Sequence, residues 1–150
     1  MKRKSLQGDL CPIARTLDVI GDWWSLLIIR DALMGARRFS QFQKNLGVAK
    51  NILTTRLRTL VAQGILEVKP ASDGSAYQDY VPTEKARALF PVLVALRQWG
   101  EEYAFTPGEK FSALVDRKDG LPLSKLQIRA HDGRVLGQTD TKVLVPASTH

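Results

Sequence analysis

The chain has 150 residues, of which 44% are hydrophobic and 25% charged, and its net charge is +7. This composition is typical of a soluble globular domain with at most a small appendage. The nearly unbroken apolar run from Trp23 to Ile29 has only seven residues. A membrane-spanning helix needs roughly 20 apolar residues, so no membrane association is predicted.

Cysteine usage and the N-terminus indicate a reducing cytoplasm. The basic opening residues are not followed by a hydrophobic segment with a cleavage site, so no signal peptide is expected. Cys11 is the only cysteine, which excludes an intrachain disulfide and argues against cysteine-based zinc binding. We therefore predict a cytoplasmic protein with no metal site and no cofactor.

The positive charge is concentrated in the first half of the chain. Residues 1–70 contain 12 Lys and Arg against 5 Asp and Glu, whereas residues 71–150 contain 10 of each. A solubilising surface would not require this separation. An excess confined to one region favours a polyanionic partner, and nucleic acid is the commonest.

Two helices are predicted at the start of the chain. Pro12 suits a first helical turn, Cys11 precedes it at the capping position, and Gly21 ends the segment. Asp22 can cap a second helix that is apolar on nearly every side. Such a helix is typically central and buried, so its two tryptophans, Trp23 and Trp24, are expected in the core.

The next segment has the pattern of a helix-turn-helix. Ser40 is expected to cap a third helix over residues 40–46, and Gly47 breaks the chain before a fourth helix within residues 49–64. The fourth helix has a predicted buried stripe of Leu53, Leu57 and Leu60. Asn51, Thr54, Thr55 and Arg58 fall on its opposite side.

Two strand-type runs, residues 65–70 and 77–82, flank an Asp73-Gly74 turn signal and predict a hairpin, or wing. Residues 83–105 then read as a long helix that Pro91 should kink or divide. Its apolar stripe is longer than one small domain can cover, so a second copy of the chain is the expected cover. The predicted stripe comprises Leu89, Val92, Leu93, Leu96, Trp99 and Tyr103.

The last part of the chain has a different character. Turn signals at Asp119-Gly120 and Asp132-Gly133 and alternating residues at 126–130 predict a second hairpin. Residues 142–146 are a candidate further strand, and 147–150 are expected to be disordered. The sequence thus divides into a DNA-binding and dimerisation domain over 1–105 and a hairpin-like extension over 106–150.

The sequence resembles the HxlR family of bacterial winged-helix transcriptional regulators. The matching stretches are CPIARTLDVIGDWW, LLIIRDALMGARRFSQFQKNL, ILTTRLRTLVAQGIL, DYVPT and LFPVLVALRQWG. Ala49, Pro82 and Ala86 depart from the residues common at these places, and none of the three removes a DNA-contacting group. The absent cap at Ala49 costs about 1 kcal/mol of helix stability.

The resemblance implies a mainly α fold with a small β wing (α+β): a winged helix-turn-helix with dimerising terminal helices, followed here by a small β-rich C-terminal extension. It also implies a homodimer that binds a palindromic double-stranded DNA operator, expected to repress transcription, with the fourth helix in the major groove. The first helix, with Ile13 and Leu17, would join the long helix at the dimer interface.

DNA binding requires groups that hold phosphates and groups that read base edges. The expected base readers are Lys50, Asn51, Thr54, Thr55 and Arg58. The expected backbone contacts are Arg37, Arg38, Gln41 and Lys44, with Lys69 and the wing tip, Ser72 to Ser75, near a minor groove. Arg56 has two readings, as a phosphate contact or as a structural partner of Asp22 or Asp31.

Cys11 is the remaining chemical feature. A helix N-terminus favours thiolate, and Arg15 one turn along adds to this. Some family members sense electrophiles or oxidants through a cysteine at this place, so a small electrophile or oxidant is a candidate effector. The alternative is a buried structural cysteine.

Two functions without DNA remain as alternatives: a small enzyme and a protein-interaction module that uses the long helix. His131 lies in a predicted turn and His150 ends the chain. The sequence shows no phosphate-binding glycine loop and no nucleophile–base spacing, so the prediction is that the protein is not an enzyme.

Overall fold

The computed structural model describes residues 4–147 and contains helices, a two-stranded sheet and a 3₁₀ turn at Gln138–Asp140. The helices are α1 Pro12–Ile20, α2 Trp23–Leu33, α3 Phe39–Leu46, α4 Lys50–Ala62, α5 Glu84–Arg87 and α6 Phe90–Tyr103. The strands are β1 Leu66–Pro70 and β2 Gln78–Pro82.

The chain forms two compact units, one ending at Leu93 and the other beginning at Val94. The first unit contains α1 to α5, the hairpin and the start of α6. The predicted boundary between residues 105 and 106 lies inside the second unit, and the division of function between the two segments stays a prediction.

The connection between α1 and α2 requires glycine. A Cβ atom at Gly21 would lie 2.2 Å from the carbonyl oxygen of Leu17, far inside van der Waals contact. Asp22 then caps α2, since its carboxylate accepts a 2.9 Å hydrogen bond from the backbone N–H of Ser25. The predicted start of α1 after Cys11 and the predicted cap of α2 are both confirmed.

The core of the first unit centres on α2 and α4. Ser25, Ile28, Ile29 and Ala32 form the buried face of α2, and the predicted stripe on α4 is completely buried. Further buried core residues are Ile20, Phe42, Val48, Ile65, Leu66 and Ala86.

The expectation that both tryptophans are in the core is wrong for Trp23. Its side chain is 71% exposed, whereas Trp24 packs partly buried against the core. At about 100° per residue, Trp23 lies opposite the buried face of α2. The two indole rings make an edge-on contact with their centroids 6.0 Å apart.

The helix-turn-helix has the predicted shape, but α3 begins earlier than expected. It starts at Phe39 with Arg38 at the N-cap, so Ser40 is not the cap. Gln41 satisfies the open N-terminus, because its Oε1 accepts the backbone N–H groups of Arg37 at 2.8 Å and Arg38 at 3.0 Å. Gly47 ends α3 in the left-handed conformation, with φ of 63°, which favours glycine.

The wing is an antiparallel hairpin whose register runs from Leu66 opposite Pro82 to Pro70 opposite Gln78. One further backbone bond, from Tyr80 N–H to the Arg37 carbonyl at 2.7 Å, ties β2 to the segment before α3. The wing is therefore anchored directly to the helix-turn-helix.

Pro91 divides the last helical region, as predicted. Thr83 caps the short α5, its hydroxyl oxygen accepting the Ala86 N–H, and the chain restarts as α6 with Pro91 in the first turn. Proline is tolerated there because the first N–H groups of a helix lack intrahelical partners. Ala86 is fully buried, so the small residue at this family departure fits its site.

The C-terminal segment keeps only part of the predicted β structure. Arg129 and Val135 form an isolated bridge around the Asp132-Gly133 turn, within a hairpin-like segment closed by a 2.8 Å bond from Leu136 N–H to the Ile128 carbonyl. The predicted strand over residues 142–146 is wrong: this segment lies extended and exposed, with no neighbouring strand among the described residues. Of the expected disordered end, 148–150 lie outside the described residues.

Candidate nucleic-acid interface

The exposed face of α4 carries the predicted base readers. Burial of Leu53, Leu57 and Leu60 at 0–1% exposure fixes the rotation of this helix about its axis. The polar side chains on its opposite side are consequently exposed to solvent. They are Asn51, Thr54, Thr55 and Arg58, and Lys50 is exposed in the first turn.

The two threonines are already committed as hydrogen-bond donors. Thr54 Oγ1 donates to the Lys50 carbonyl at 2.8 Å, and Thr55 Oγ1 donates to the Asn51 carbonyl at 2.9 Å. Each hydroxyl can still accept a hydrogen bond, and each methyl can contact a thymine methyl group. These residues are therefore suited to acceptor and apolar contacts with base edges.

Arg58 and Asn51 retain their full side-chain hydrogen-bonding capacity. Neither side chain has a hydrogen bond or ion pair within residues 4–147. An arginine fork can pair with guanine and an asparagine amide with adenine. These two side chains are the strongest candidates for direct base readout.

The N-terminus of α4 is open. Ala49 is the N-cap and supplies no side-chain hydrogen bond. In the described structure the first backbone N–H groups of α4, those of Lys50 to Ile52, have no acceptor. Open N–H groups at a helix N-terminus suit a phosphate oxygen.

Arg56 faces the protein rather than the solvent side of α4. Its Nε lies 3.0 Å from Asp22 Oδ1, and the guanidinium is half-buried. Of the two readings of Arg56, the structure therefore favours the structural one. The bond joins the fourth helix to the cap of the second.

The pKa of Asp22 is lowered by its surroundings. Partial burial acts to raise it, but the side-chain and backbone hydrogen bonds from Ser25 and the charge of Arg56 outweigh burial. The carboxylate is consequently held in its charged, capping form.

Arg37 is committed to the protein backbone. Its guanidinium donates to the carbonyls of Ala32 at 2.7 Å and Ala36 at 2.9 Å. These contacts hold the Arg37 side chain against the end of α2 and the turn that follows it. Phosphate binding by Arg37 would have to use its remaining donors.

Arg38 is held by the wing. Its guanidinium forms an ion pair with Asp73 at the wing tip, and its Nε lies 3.7 Å from Asp79 Oδ1. The guanidinium carbon also lies 5.1 Å from the centre of the Tyr77 ring. Arg38 thus links the N-terminus of α3 to both ends of the wing turn.

Asp73 is strongly acidic in this setting. Hydrogen bonds from the backbone and side chain of Ser75, together with Arg38, lower the pKa of Asp73 to about 2. The wing tip therefore carries a fixed negative charge beside a predicted phosphate contact.

The sequence placed Asp73 in the wing tip but did not indicate that Asp73, Tyr77 and Asp79 would surround Arg38. Asp73 was visible as part of a turn signal, but nothing in the sequence indicated its pairing 35 residues away. Asp79 is buried, and its Oδ1 has no hydrogen bond in the structure.

The remaining predicted contacts lie in exposed positions of the first unit. Gln41 keeps its amide N–H₂ available, and Lys44 lies in the last turn of α3. In β1, Lys69 Nζ lies 3.9 Å from Glu67 Oε2. Ser72 is exposed, and Ser75 Oγ accepts from Arg38 at 3.4 Å.

A groove of about 730 Å³ runs between the wing and the helix-turn-helix. Arg38 and Lys50 line it from one side, and Tyr77, Gln78 and Tyr80 from the other. The two cations in this lining, Arg38 and Lys50, suit an anionic polymer.

The predicted dimer residues differ in their exposure. Val92, Leu96, Trp99 and Tyr103 are 40–66% exposed and share one side of α6, and Ile13 and Leu17 of α1 are 70% and 47% exposed. Leu89 and Leu93 instead pack partly buried against the core of their own unit.

Cys11 is exposed, which makes the alternative of a buried structural cysteine wrong. Its backbone N–H donates to Asp9 Oδ1 at 2.8 Å, so a carboxylate lies beside the cysteine. The Arg15 guanidinium is bonded to the Asp9 carbonyl. The local charge is therefore mixed rather than purely positive.

No helix among residues 4–147 is long and apolar enough to cross a membrane.

The HxlR-like helix-turn-helix family matches residues 19–107, which include both helices of the helix-turn-helix and the wing. The chain belongs to the HxlR family. The enzyme alternative is set aside by this membership, since the relatives of this HxlR protein are named as transcriptional regulators.

Three relatives show how similar this HxlR protein is to other proteins in sequence and structure. Mb3122 of Mycobacterium bovis, named an uncharacterized HTH-type transcriptional regulator, is 42% identical over 63% of this chain and 60% of its own. PA1607, a candidate transcription factor of known structure, is 55% identical with a TM-score of 0.89 and covers 93% of this chain and 97% of its own. The redox regulator HypR in its oxidized form is 31% identical with a TM-score of 0.57, over 64% of this chain and 100% of its own.

The match to Mb3122 thus spans less than two thirds of that relative. The likeness to PA1607 extends over nearly the whole chain and hence includes most of the C-terminal segment.

Proposed function

We propose that this HxlR-family protein is a transcriptional repressor that binds a palindromic DNA operator as a homodimer in the cytoplasm. The observation that carries the proposal is the exposed face of α4, where Asn51 and Arg58 have uncommitted donors and acceptors above a buried leucine stripe. A helix of this kind, with a wing beside it, fits the major groove with backbone contacts on either side.

The homodimer is supported by the exposed apolar side of α6. A monomeric soluble protein rarely exposes a continuous apolar patch of this kind. Two copies related by a two-fold axis would present two recognition helices to two half-sites, which is the arrangement that a palindrome requires.

The test is titration of a fluorescent duplex from the region upstream of the protein's own operon, compared with a scrambled duplex of equal length at two salt concentrations. The specific duplex should bind about 10³-fold or more tightly than the scrambled one at physiological salt. Both affinities should fall as salt rises, because phosphate contacts release counterions. Equal affinity for the two duplexes at both salt concentrations would contradict the proposal.

A second function, sensing of electrophiles or oxidants through Cys11, is favoured by two observations. The thiol is exposed at the start of α1, and a redox regulator is among the structural relatives. With no second cysteine in the chain, the chemistry would be an adduct, a sulfenic acid or a disulfide to another molecule's thiol. The alternative of a protein-interaction module without DNA binding is tested by the same titration.

A further inference from the structure

The C-terminal arm, defined here as residues 104–147, is ordered in turns but has no core. None of its side chains is buried, and only those of Leu114, Ala130 and Leu136 are half-buried. Its backbone is nevertheless held by specific turns, such as the 2.7 Å bond from Lys118 N–H to Asp116 Oδ1 and the 2.8 Å bond from Gly137 N–H to Asp140 Oδ2. The arm therefore has a defined path with nothing packed on most of its surface.

The uncovered surface of the arm is strongly apolar. Phe105 and Phe111 contact each other with ring centroids 5.1 Å apart and remain partly exposed. Towards the end of the arm, Val143, Leu144 and Val145 are 74–88% exposed. Other apolar residues exposed along the arm are Val115, Leu121, Leu123, Leu126, Ile128 and Val135.

The solvent-accessible surface of the chain is larger than expected for two folded units of these lengths. Two separate, folded proteins with the lengths of the two units would together expose about 9,000 Å². The chain exposes 11971 Å². The difference is larger than the roughly 800 Å² that each partner contributes to a standard stable interface.

The extended segment Lys142–Pro146 has backbone groups available for hydrogen bonding, in addition to its exposed side chains. In the described structure its N–H groups donate no hydrogen bond. Valine is favoured in strands, and an extended apolar segment with free N–H and C=O groups is suited to pair with another strand edge.

We propose that the arm clasps a second copy of this chain, with Lys142–Pro146 pairing as a strand against the partner copy. This rests on the proposed homodimer and goes beyond it, since it assigns to the arm an interface separate from α6. The arm directly follows the exposed Leu96–Trp99–Tyr103 side of α6, so its apolar surface continues the proposed dimer surface along the chain.

The charge of the arm argues against nucleic acid as its occupant. Its seven Lys and Arg are interspersed with five Asp and Glu, and Arg134 is already paired with Asp132 at 2.9 Å. A nucleic-acid surface is expected to be much more strongly basic.

The test uses the full chain with Val143→Asp/Val145→Asp, and Thr139→Asp/Thr141→Asp as its control. The control adds the same two charges at the same spacing, at exposed residues just upstream. Sedimentation should show that the valine variant raises the dimer dissociation constant by about tenfold or more, because two apolar contacts are lost. The control should dimerise like the wild type.

Hydrogen exchange read by mass spectrometry supplies a second measurement. In the wild type, the amides of 142–147 should exchange more slowly as concentration is raised through dimer formation, and Leu96→Glu should remove this protection. An unchanged dissociation constant in the valine variant, together with equal exchange in monomer and dimer, would overturn the clasp while leaving a dimeric operator-binding protein intact. Protection that appears only when the operator duplex is added would overturn it in favour of DNA. A wild type that stays monomeric at micromolar concentration would overturn both the clasp and the proposed homodimer.

Discussion

Arg56 of α4 and Asp22 at the cap of α2 are joined by a 3.0 Å hydrogen-bonded ion pair, although 34 residues separate them. The same carboxylate accepts the backbone N–H and hydroxyl of Ser25, at 2.9 and 2.6 Å. One side chain therefore caps a core helix and positions the helix that carries the predicted base readers.

Arg56→Ala is expected to reduce the free energy of unfolding by about 1 kcal/mol, whereas Arg58→Ala should leave it unchanged. The value is discounted for solvent screening, because the Arg56 and Asp22 side chains are 35% and 30% exposed. Urea titration at neutral pH measures both variants. A larger loss for Arg58→Ala would reverse the assigned roles of the two arginines.

The effect of Arg56→Ala should also depend on pH. Because the pKa of Asp22 is lowered on folding, the unfolded state takes up its proton first as the pH falls. The stabilisation is fully present above the ordinary pKa of 3.8 and is lost as the pH falls through the lower folded value. The difference in free energy of unfolding between wild type and Arg56→Ala should shrink in that acidic range.

Arg58→Ala and Asn51→Ala are expected to lower affinity for the operator more than affinity for random duplex. Each lost base contact should cost roughly 1–3 kcal/mol of discrimination. Arg117→Ala removes an exposed arginine from the C-terminal arm and serves as the control for charge loss. If both α4 variants keep the wild-type ratio of the two affinities, base readout by this face is refuted.

Much of this face could be predicted from the sequence, because helical periodicity determines which residues of α4 are buried. The missing N–H of proline likewise predicted that Pro91 would kink or divide the last helix. Periodicity failed at Trp23, since a helix that is apolar on every side does not indicate which side meets the core. The pattern of valines at 142–146 likewise predicts a strand, but strand formation requires a partner edge that the sequence does not specify.

The hydrogen-bond and ion-pair partners of the arginine side chains could not be predicted either. Arg37 and Arg38 are adjacent, yet one donates to a carbonyl at the end of α2 and the other reaches the wing. Each pairing depends on which backbone carbonyls and carboxylates the fold brings near. Only Arg56 was limited in advance to named partners, and the structure selects Asp22 rather than Asp31.

Asp73→Asn is expected to strengthen binding to random duplex at low salt. The substitution removes a negative charge from the wing tip and breaks the ion pair with Asp73, while Asp79 stays 3.7 Å from the Arg38 Nε. The guanidinium N–H groups that faced Asp73 then become available to a phosphate. The plot of log affinity against log salt should steepen by up to about one unit, as one more phosphate is neutralised. Arg38→Ala/Asp73→Asn serves as the control and should lose this steepening.

Because the pKa of Asp73 is about 2, its charge is constant across the neutral range. The gain in affinity for random duplex from Asp73→Asn should therefore be the same at pH 6 and pH 8. An affinity that is unchanged or lower at both pH values would indicate that the Arg38–Asp73 pair holds the wing in its binding position rather than withholding a cation.

Leu96→Glu is expected to convert a dimer into a monomer and to abolish specific operator binding. Leu96 lies in the exposed apolar row of α6 and is 52% exposed, and burying an unpaired carboxylate in an interface is strongly unfavourable. Ala88→Glu, which adds the same charge at an exposed residue outside α6, should remain dimeric. Sedimentation at micromolar concentration reports the state of each, and unchanged circular dichroism would show that Leu96→Glu is folded.

Treatment with a quinone or aldehyde electrophile is expected to change operator affinity in the wild type and to leave Cys11→Ser unaffected. The thiol is exposed, so a reagent reaches it without opening the core. An adduct at an exposed helix cap disturbs little within one chain. Its effect on DNA would arise through the dimer, because α1 also carries the exposed Ile13 and Leu17 that are proposed to contact the partner.

A change in the relative position of two recognition helices misplaces one of them against half-sites whose spacing is fixed. A coupling of about 1–3 kcal/mol between Cys11 and the operator would change affinity roughly 5- to 150-fold. Mass spectrometry of the intact chain should show a single adduct, and sedimentation should report whether the dimer persists. A wild type that forms the adduct and binds its operator unchanged would show that Cys11 is accessible but not coupled to DNA binding.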